Sequence, residues 1–313
     1  MQKNQQQYII PFVNQELSFW EQLSDAYKPD IKEVYFPLTH ENLGTGRPRQ
    51  PDNHLCKFIE SGILPLSLLI NPVVLQRQVQ TLANPVIEQI EYYKTLNLPG
   101  ITVANVELAK RIKSKFPEIS LTASTLMEIY NEQQLAMLDD VFDILVPSNR
   151  ALRDIRTLEK LRKGFNGKIR LLVNEACLPS CIYRTQHFYE MSKPEIAYPR
   201  SLCSDLLKQK PWLRLTGGWV LPQHLFLYEG LYDEIKLAGR VSLQDPARYF
   251  NVLDSYIHKK PLQPNAIGGG PASVNIPMDI DTEYYKYTLT CDKNCNSCSV
   301  CKEYWAENTK IYG

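Results

Sequence analysis

The chain alternates short apolar runs with longer stretches whose apolar residues recur at helical spacing. Eight runs read as strands: 31–37, 64–71, 101–105, 119–125, 142–149, 169–174, 213–220 and 234–241. Between them, 73–96 carries Val79, Leu82, Val86, Ile90 and Tyr93 along one helical face. The helix expected over 106–116 has Glu107 near its start and Lys110, Arg111, Lys113 and Lys115 towards its end, the polarity a helix dipole favours. A helix over 149–163 is expected to be capped by Asn149 or Ser148, and one over 245–259 opens on Asp245 and Pro246. Eight strands alternating with helices predict an α/β fold, a (β/α)8 TIM-like barrel.

The pattern changes after residue 260. Residues 261–278, PLQPNAIGGGPASVNIPM, are dominated by glycine, proline and asparagine and read as a linker or a loop crossing the barrel. Residues 279–313 form a cysteine-rich extension on a polar, aromatic background, with too little apolar mass to build a core. The expected organisation is a barrel over 1–260, a linker over 261–278 and a metal-binding tail over 279–313. At 313 residues the chain accommodates one large domain with an appendage. Hydrophobic residues at 44% and charged residues at 22% are ordinary for a soluble domain, and a net charge of +1 supplies no bulk field that demands nucleic acid. The segment MQKNQQQYIIPF has no apolar core of secretory length and no window approaches a membrane span, so a cytoplasmic protein with no membrane partner is expected.

Candidate chemistry gathers behind the run at 169–174, which continues as NEACLPSCIYRTQH. Ligands bind at the carboxyl ends of parallel strands, and this one delivers Cys177 and Cys181, with Pro179 in the turn, then Arg184 and His187. Arg184, His187 and Glu175 are the candidate catalytic residues. Polar residues recur at other strand ends, at Asn71, Asn105, Ser124 and Ser148; each alone reads as a helix cap, and together they suggest a polar mouth. Arg47 and Arg49 in LGTGRPR, with Asn174 and Arg240, form the candidate substrate-binding set, because guanidinium forks suit a carboxylate or phosphate. The expected partner is a small anionic substrate, or a modified residue of a larger protein or RNA. No GxSxG, HExxH or GxGxxG context supports a serine hydrolase, zincin or Rossmann reading.

The eight cysteines add a metal question. Cys291, Cys295, Cys298 and Cys301 stand close enough in sequence to wrap one centre, a [4Fe–4S] cluster first, zinc as the alternative, and metal-free thiols or disulfides third. Cys177, Cys181 and Cys203 form a second ligand set, with Cys56 the remaining cysteine outside the tail, so one or two clusters are expected. Metal would then supply the stability the tail lacks.

Three segments, IKEVYFP followed by GTGR, NEACLPSCIYRTQHF, and EIKLAGR, resemble the collagenase-like peptidase superfamily over about residues 8–260. The resemblance implies a TIM-type barrel. Several members bind a [4Fe–4S] cluster and take part in oxygen-independent hydroxylation of ubiquinone precursors or RNA bases, some with prephenate. It therefore implies an iron–sulfur redox enzyme, an oxygen-independent hydroxylase included, served by an electron-donor protein. The alternatives are a peptidase-like hydrolase of the same superfamily and a non-catalytic iron–sulfur adaptor subunit. The family spreads its cluster cysteines more widely than Cys177 and Cys181.

Overall fold

In the structure, a computed structural model, residues 6–38, 43–44, 52–72, 79–138, 140–191, 202–270 and 272–309 are described. Eight parallel strands close into a barrel: β1 (Gln7–Pro11), β2 (Ile31–Pro37), β4 (Leu66–Pro72), β5 (Gly100–Val103), β6 (Ser120–Ala123), β7 (Ile144–Leu145), β8 (Lys168–Leu172) and β9 (Glu234–Lys236). The first pairs with the last, Gln7 to Glu234 and Ile9 to Lys236, and with β2 on its other side. A two-residue strand, β3 (Leu43–Gly44), runs antiparallel to the end of β4. The fold is therefore the expected (β/α)8 barrel.

One strand is exchanged. Residues 213–220 are not a strand; Pro211–Thr216 form a 3-10 helix and Gly217 and Gly218 follow. Val220 N still donates to Val173 O at 2.7 Å, so the segment runs past the end of β8 without joining the ring. Its place in the barrel is taken by β1, a short apolar run behind a glutamine-rich lead, whose strand character comes from partners far along the chain.

The helices follow their apolar faces. Helix α3 (Val79–Lys94) buries Val79, Leu82, Val86 and Ile90, and α4 (Val106–Lys115) buries Leu108, Ala109 and Ile112 beneath the cap in which Asn105 Oδ1 accepts from Leu108 N. Asp245 caps α8 (Pro246–Ile257) as expected. Helix α5 (Ile155–Gly164) is capped by Asp154, not by Asn149 or Ser148, because the 3-10 turn Ala151–Arg153 intervenes. Asn149 instead donates to Cys177 O at 3.3 Å.

Beyond the ring, α9 (Thr282–Thr290) is buried on Tyr284, Tyr285, Thr288 and Leu289. Its anchor is Arg153, 2% exposed, which donates to Thr288 Oγ1 at 2.6 Å and Leu215 O at 2.9 Å and lies over the Tyr285 and Trp219 rings. Helix α10 (Val300–Thr309) follows the cysteine loop and stacks Tyr304 on Tyr284, ring centroids 3.7 Å apart. Among the described residues no helix is long and apolar enough to cross a membrane.

Inside the barrel the inward residues form layers. Ile9, Tyr35 and Leu69 make a small apolar cluster separate from the main core between barrel and helices. Beneath it Arg170 lies between two carboxylates, Nη1 to Glu33 at 2.7 Å and Nη2 to Glu234 at 2.8 Å, all three side chains at most 2% exposed. Gly100 faces this layer because a Cβ there would come within 2.8 Å of Glu33 Oε2. Lys32 and Lys168 reach Glu234 from outside. Burial alone would raise the Glu234 pKa, but Arg170 and Lys32 hold it below the usual carboxylate range. One end of the barrel is thus plugged by paired charge, and the other is open.

Candidate active site

At the open end the chain leaves β8 through Val173, whose N–H donates to Lys236 O at 3.1 Å. Asn174 follows, fully buried. Its amide donates to Ala238 O, Ile267 O and Gly268 O at 2.9–3.1 Å, and its oxygen accepts from Ala238 N at 2.5 Å. Both ends of the side chain are engaged by backbone, so Asn174 ties β8 to β9 and to the glycine-rich segment rather than presenting an amide to a substrate. That segment is a strap across the barrel mouth, not a free linker: Ala272 N donates to Ala176 O at 3.0 Å, and a Cβ on Gly269 would lie 1.6 Å from Asn174 O. Only glycine permits so close a backbone approach.

Strap and strand ends enclose a cavity of about 520 Å³. It brings together Glu175, Cys177, Cys181, Arg184, His187 and Cys203, and Arg240 joins them from beyond β9. Residues 192–201 lie outside the described residues, yet Cys203 on α7 (Leu202–Gln209) faces the same space. Arg47 and Arg49 also lie outside the described residues. Cys56 is exposed on α2 (Leu55–Ser61), and no described tail residue lines the cavity.

Arg184, at the start of α6 (Arg184–Met191), is held by two carboxylates: Nη1 and Nη2 donate to Glu175 at 2.6 and 3.2 Å, and Nε donates to Glu128. Burial opposes its charge, but Glu175, the nearby Cys177 and Glu128 outweigh it and hold the pKa above its ordinary value. A guanidinium so held is a fixed charge beside a thiol; it donates no proton to a reaction. Glu128 was not legible in the sequence. Its backbone is left-handed at φ 53°, a strained conformation for a glutamate, and Ser148 Oγ donates to its carboxylate at 2.6 Å.

Sequence reasoning also passed over Lys236. It points inward from β9, 6% exposed, one layer above the Arg170 ion pairs, with Nζ 4.2 Å from the centroid of the Tyr35 ring. Tyr35 is itself fixed by donating to Leu237 O at 2.9 Å. Burial, with Arg170 on one side and Arg240 on the other, pushes the Lys236 pKa down to about 7; Glu33 opposes this only in part. The signal in the sequence was alternation: IKEVYF, KIRLL and EIK each place a charged residue at an inward position of a barrel strand. Among the described residues the cavity lining carries three guanidinium groups, Arg184, Arg240 and Arg248, against the single carboxylate of Glu175. It is built to favour an anion.

No family model matches the sequence. The chain is 23% identical over 236 residues to the uncharacterized protease MJ1657 of Methanocaldococcus jannaschii, an alignment covering 70% of this chain and 68% of that protein. The solved structure of the U32 peptidase Mk0906 superposes with a TM-score of 0.54 at 14% identity, over 75% of this chain and 93% of that one. In sequence and in fold the chain thus resembles the collagenase-like, or U32, peptidases.

Superfamily resemblance raised the expectation of an iron–sulfur cluster, and the donors can be weighed against it. Cys177, Cys181 and Cys203 share the cavity, and thiols are the right donors. In the tail, Cys291 follows the last residue of α9 and Cys301 is the second residue of α10, with Cys295 and Cys298 between them. Among the described residues, however, no three Cys, His, Asp or Glu side chains converge on one point as a metal ion requires. In this arrangement the donor types suit the group and their placement does not.

Proposed function

We propose that the barrel mouth is the active site of a peptidase-like hydrolase whose substrate carries an anionic group, a peptide with a free carboxylate being the simplest case. Lys236 carries this reading: a buried amine with its pKa near neutrality, in a cavity whose lining favours anions. Arg240 and Arg248 hold the carboxylate. Lys236 takes a proton from water as the water oxygen bonds to the amide carbon, then returns it to the leaving nitrogen, so that amide and water become acid and amine. The protease and peptidase names of the two relatives favour hydrolysis over other chemistry at this site. Incubation with a mixture of short peptides, read by mass spectrometry, tests it. Turnover is expected in the wild type and is expected to fall about 100- to 10,000-fold in Lys236→Met; a variant as active as the wild type would sink the proposal.

A second reading, an iron–sulfur oxidoreductase of the hydroxylase-like kind, is supported by one observation: Cys177, Cys181 and Cys203 line the same cavity. Its substrate is a small anion or a residue of a protein or RNA, and its partner an electron-donor protein. Anaerobic purification decides it. Iron and sulfide that fall in Cys177→Ser and Cys181→Ser support this reading, and colourless, iron-free wild-type protein ends it.

A further inference from the structure

The Lys236 amine has properties that hydrolysis does not exhaust. The groups that face it are Arg170 from β8, Glu33 and Tyr35 from β2, Glu234 from its own strand, and Arg240 beyond it. Glu33 and Glu234 are both committed to Arg170, and among the described residues no carboxylate lies within ion-pair distance of Lys236 Nζ. An amine that is buried and flanked by guanidinium groups has its lone pair available in about half of the molecules at neutral pH, where an ordinary lysine has almost none. Towards an amide carbonyl, a weak electrophile, that lone pair acts as a base. Towards an aldehyde or ketone it is a nucleophile. The cavity of about 520 Å³ holds a small molecule, and Arg240 and Arg248 line it with Lys236, so carboxylate and carbonyl can be held together.

We infer that the mouth captures small 2-oxo acids reversibly, as an imine on Lys236. Nζ bonds to the carbonyl carbon while the carbonyl π electrons move to oxygen, and a proton passes from nitrogen to that oxygen to give a carbinolamine. Loss of water then leaves the C=N bond. Amine and ketone become imine and water, nothing is oxidised or reduced, and water reverses the step. The site is thereby a covalent receptor for a class of metabolite that a peptide hydrolase does not need. The inference shares the cavity with the proposed function and does not depend on peptide cleavage.

Reductive trapping tests it. The full-length protein is incubated at pH 7.5 with pyruvate and cyanoborohydride, which reduces only the imine, and the peptides are mapped by mass spectrometry. A parallel sample receives acetone, the same ketone without the carboxylate. The expected result is a stable adduct on Lys236, on the order of 100-fold in excess of that on an average surface lysine, because an ordinary lysine is almost wholly protonated at this pH. Acetone is expected to label Lys236 far less, and Lys236→Arg to lose the adduct. Adducts spread evenly over the lysines would overturn the inference, as would equal labelling of Lys236 by acetone and pyruvate. Trapping needs no turnover. An adduct on a protein that cleaves no peptide supports this inference and counts against hydrolysis alone.

Discussion

Exchanging Arg170 for methionine is expected to cost about 3–5 kcal/mol of stability, measured by urea unfolding at pH 7. The guanidinium stands between Glu33 and Glu234 with all three side chains buried, and methionine is of similar length without the charge. Removing it leaves two carboxylates inside the barrel, one with only Lys32 and Lys168 at its outer edge. The loss is expected to shrink at low pH, where the stranded carboxylates protonate in the variant. A change below about 1 kcal/mol would mean that the layer is penetrated by water and is not the plug described here.

The opposite sign is expected one layer higher. In the unfolded chain Lys236 holds its proton up to about pH 10.4; in the fold it releases it near pH 7. Between those values the unfolded state binds the extra proton, so stability rises with pH across this window. Relative to Lys236→Met, the wild type should therefore lose about 1.4 kcal/mol for each pH unit descended from 10 to 7, with no further loss below 7. Lys236→Met is then expected to be the more stable protein at neutral pH, so the loss of turnover expected of it would not come from unfolding. Parallel stability curves for the two proteins between pH 7 and 10 would show that the amine stays charged in the fold. A residue that lowers stability at the centre of a cavity is the pattern expected of function rather than packing.

These two residues mark the limits of what the sequence made legible. The eight-stranded barrel could be read because each strand from 31–37 to 169–174 is a local apolar run bounded by turn or helix signals, and local periodicity is what a sequence exposes. The two errors were non-local. Gln7–Pro11 is too short to stand out until β2 and β9 flank it, and 213–220 has strand composition but leaves the ring at Gly217 and Gly218. In the site, Cys177, Cys181, Arg184 and His187 were found because they are neighbours in sequence. Lys236 and Glu128 were not, because their meaning depends on Arg170, Glu33 and Arg184, which only barrel closure brings to them. Asn174 had the right position, but its bonds go to backbone that the sequence could not place beside it.

The tail shows the same limit. Its polar composition suggested a segment without a core of its own, yet Tyr285 and Thr288 borrow one from the barrel's outer layer through the buried Arg153. Helix α10 joins that docking: Val300, Cys301, Tyr304 and Trp305 pack against the same core, and Cys301 interacts with Tyr284 of α9.

The central claim is that the barrel mouth works on a substrate held there by its negative charge. The most direct measurement is kcat/KM for peptides paired as C-terminal free acids and C-terminal amides, on the wild type and on Arg240→Ala. A fully satisfied carboxylate contact is expected to favour the free acids by about tenfold or more in the wild type, and Arg240→Ala is expected to erase most of that preference through KM. Equal rates on acids and amides in the wild type, or an undiminished preference in the variant, would contradict the account.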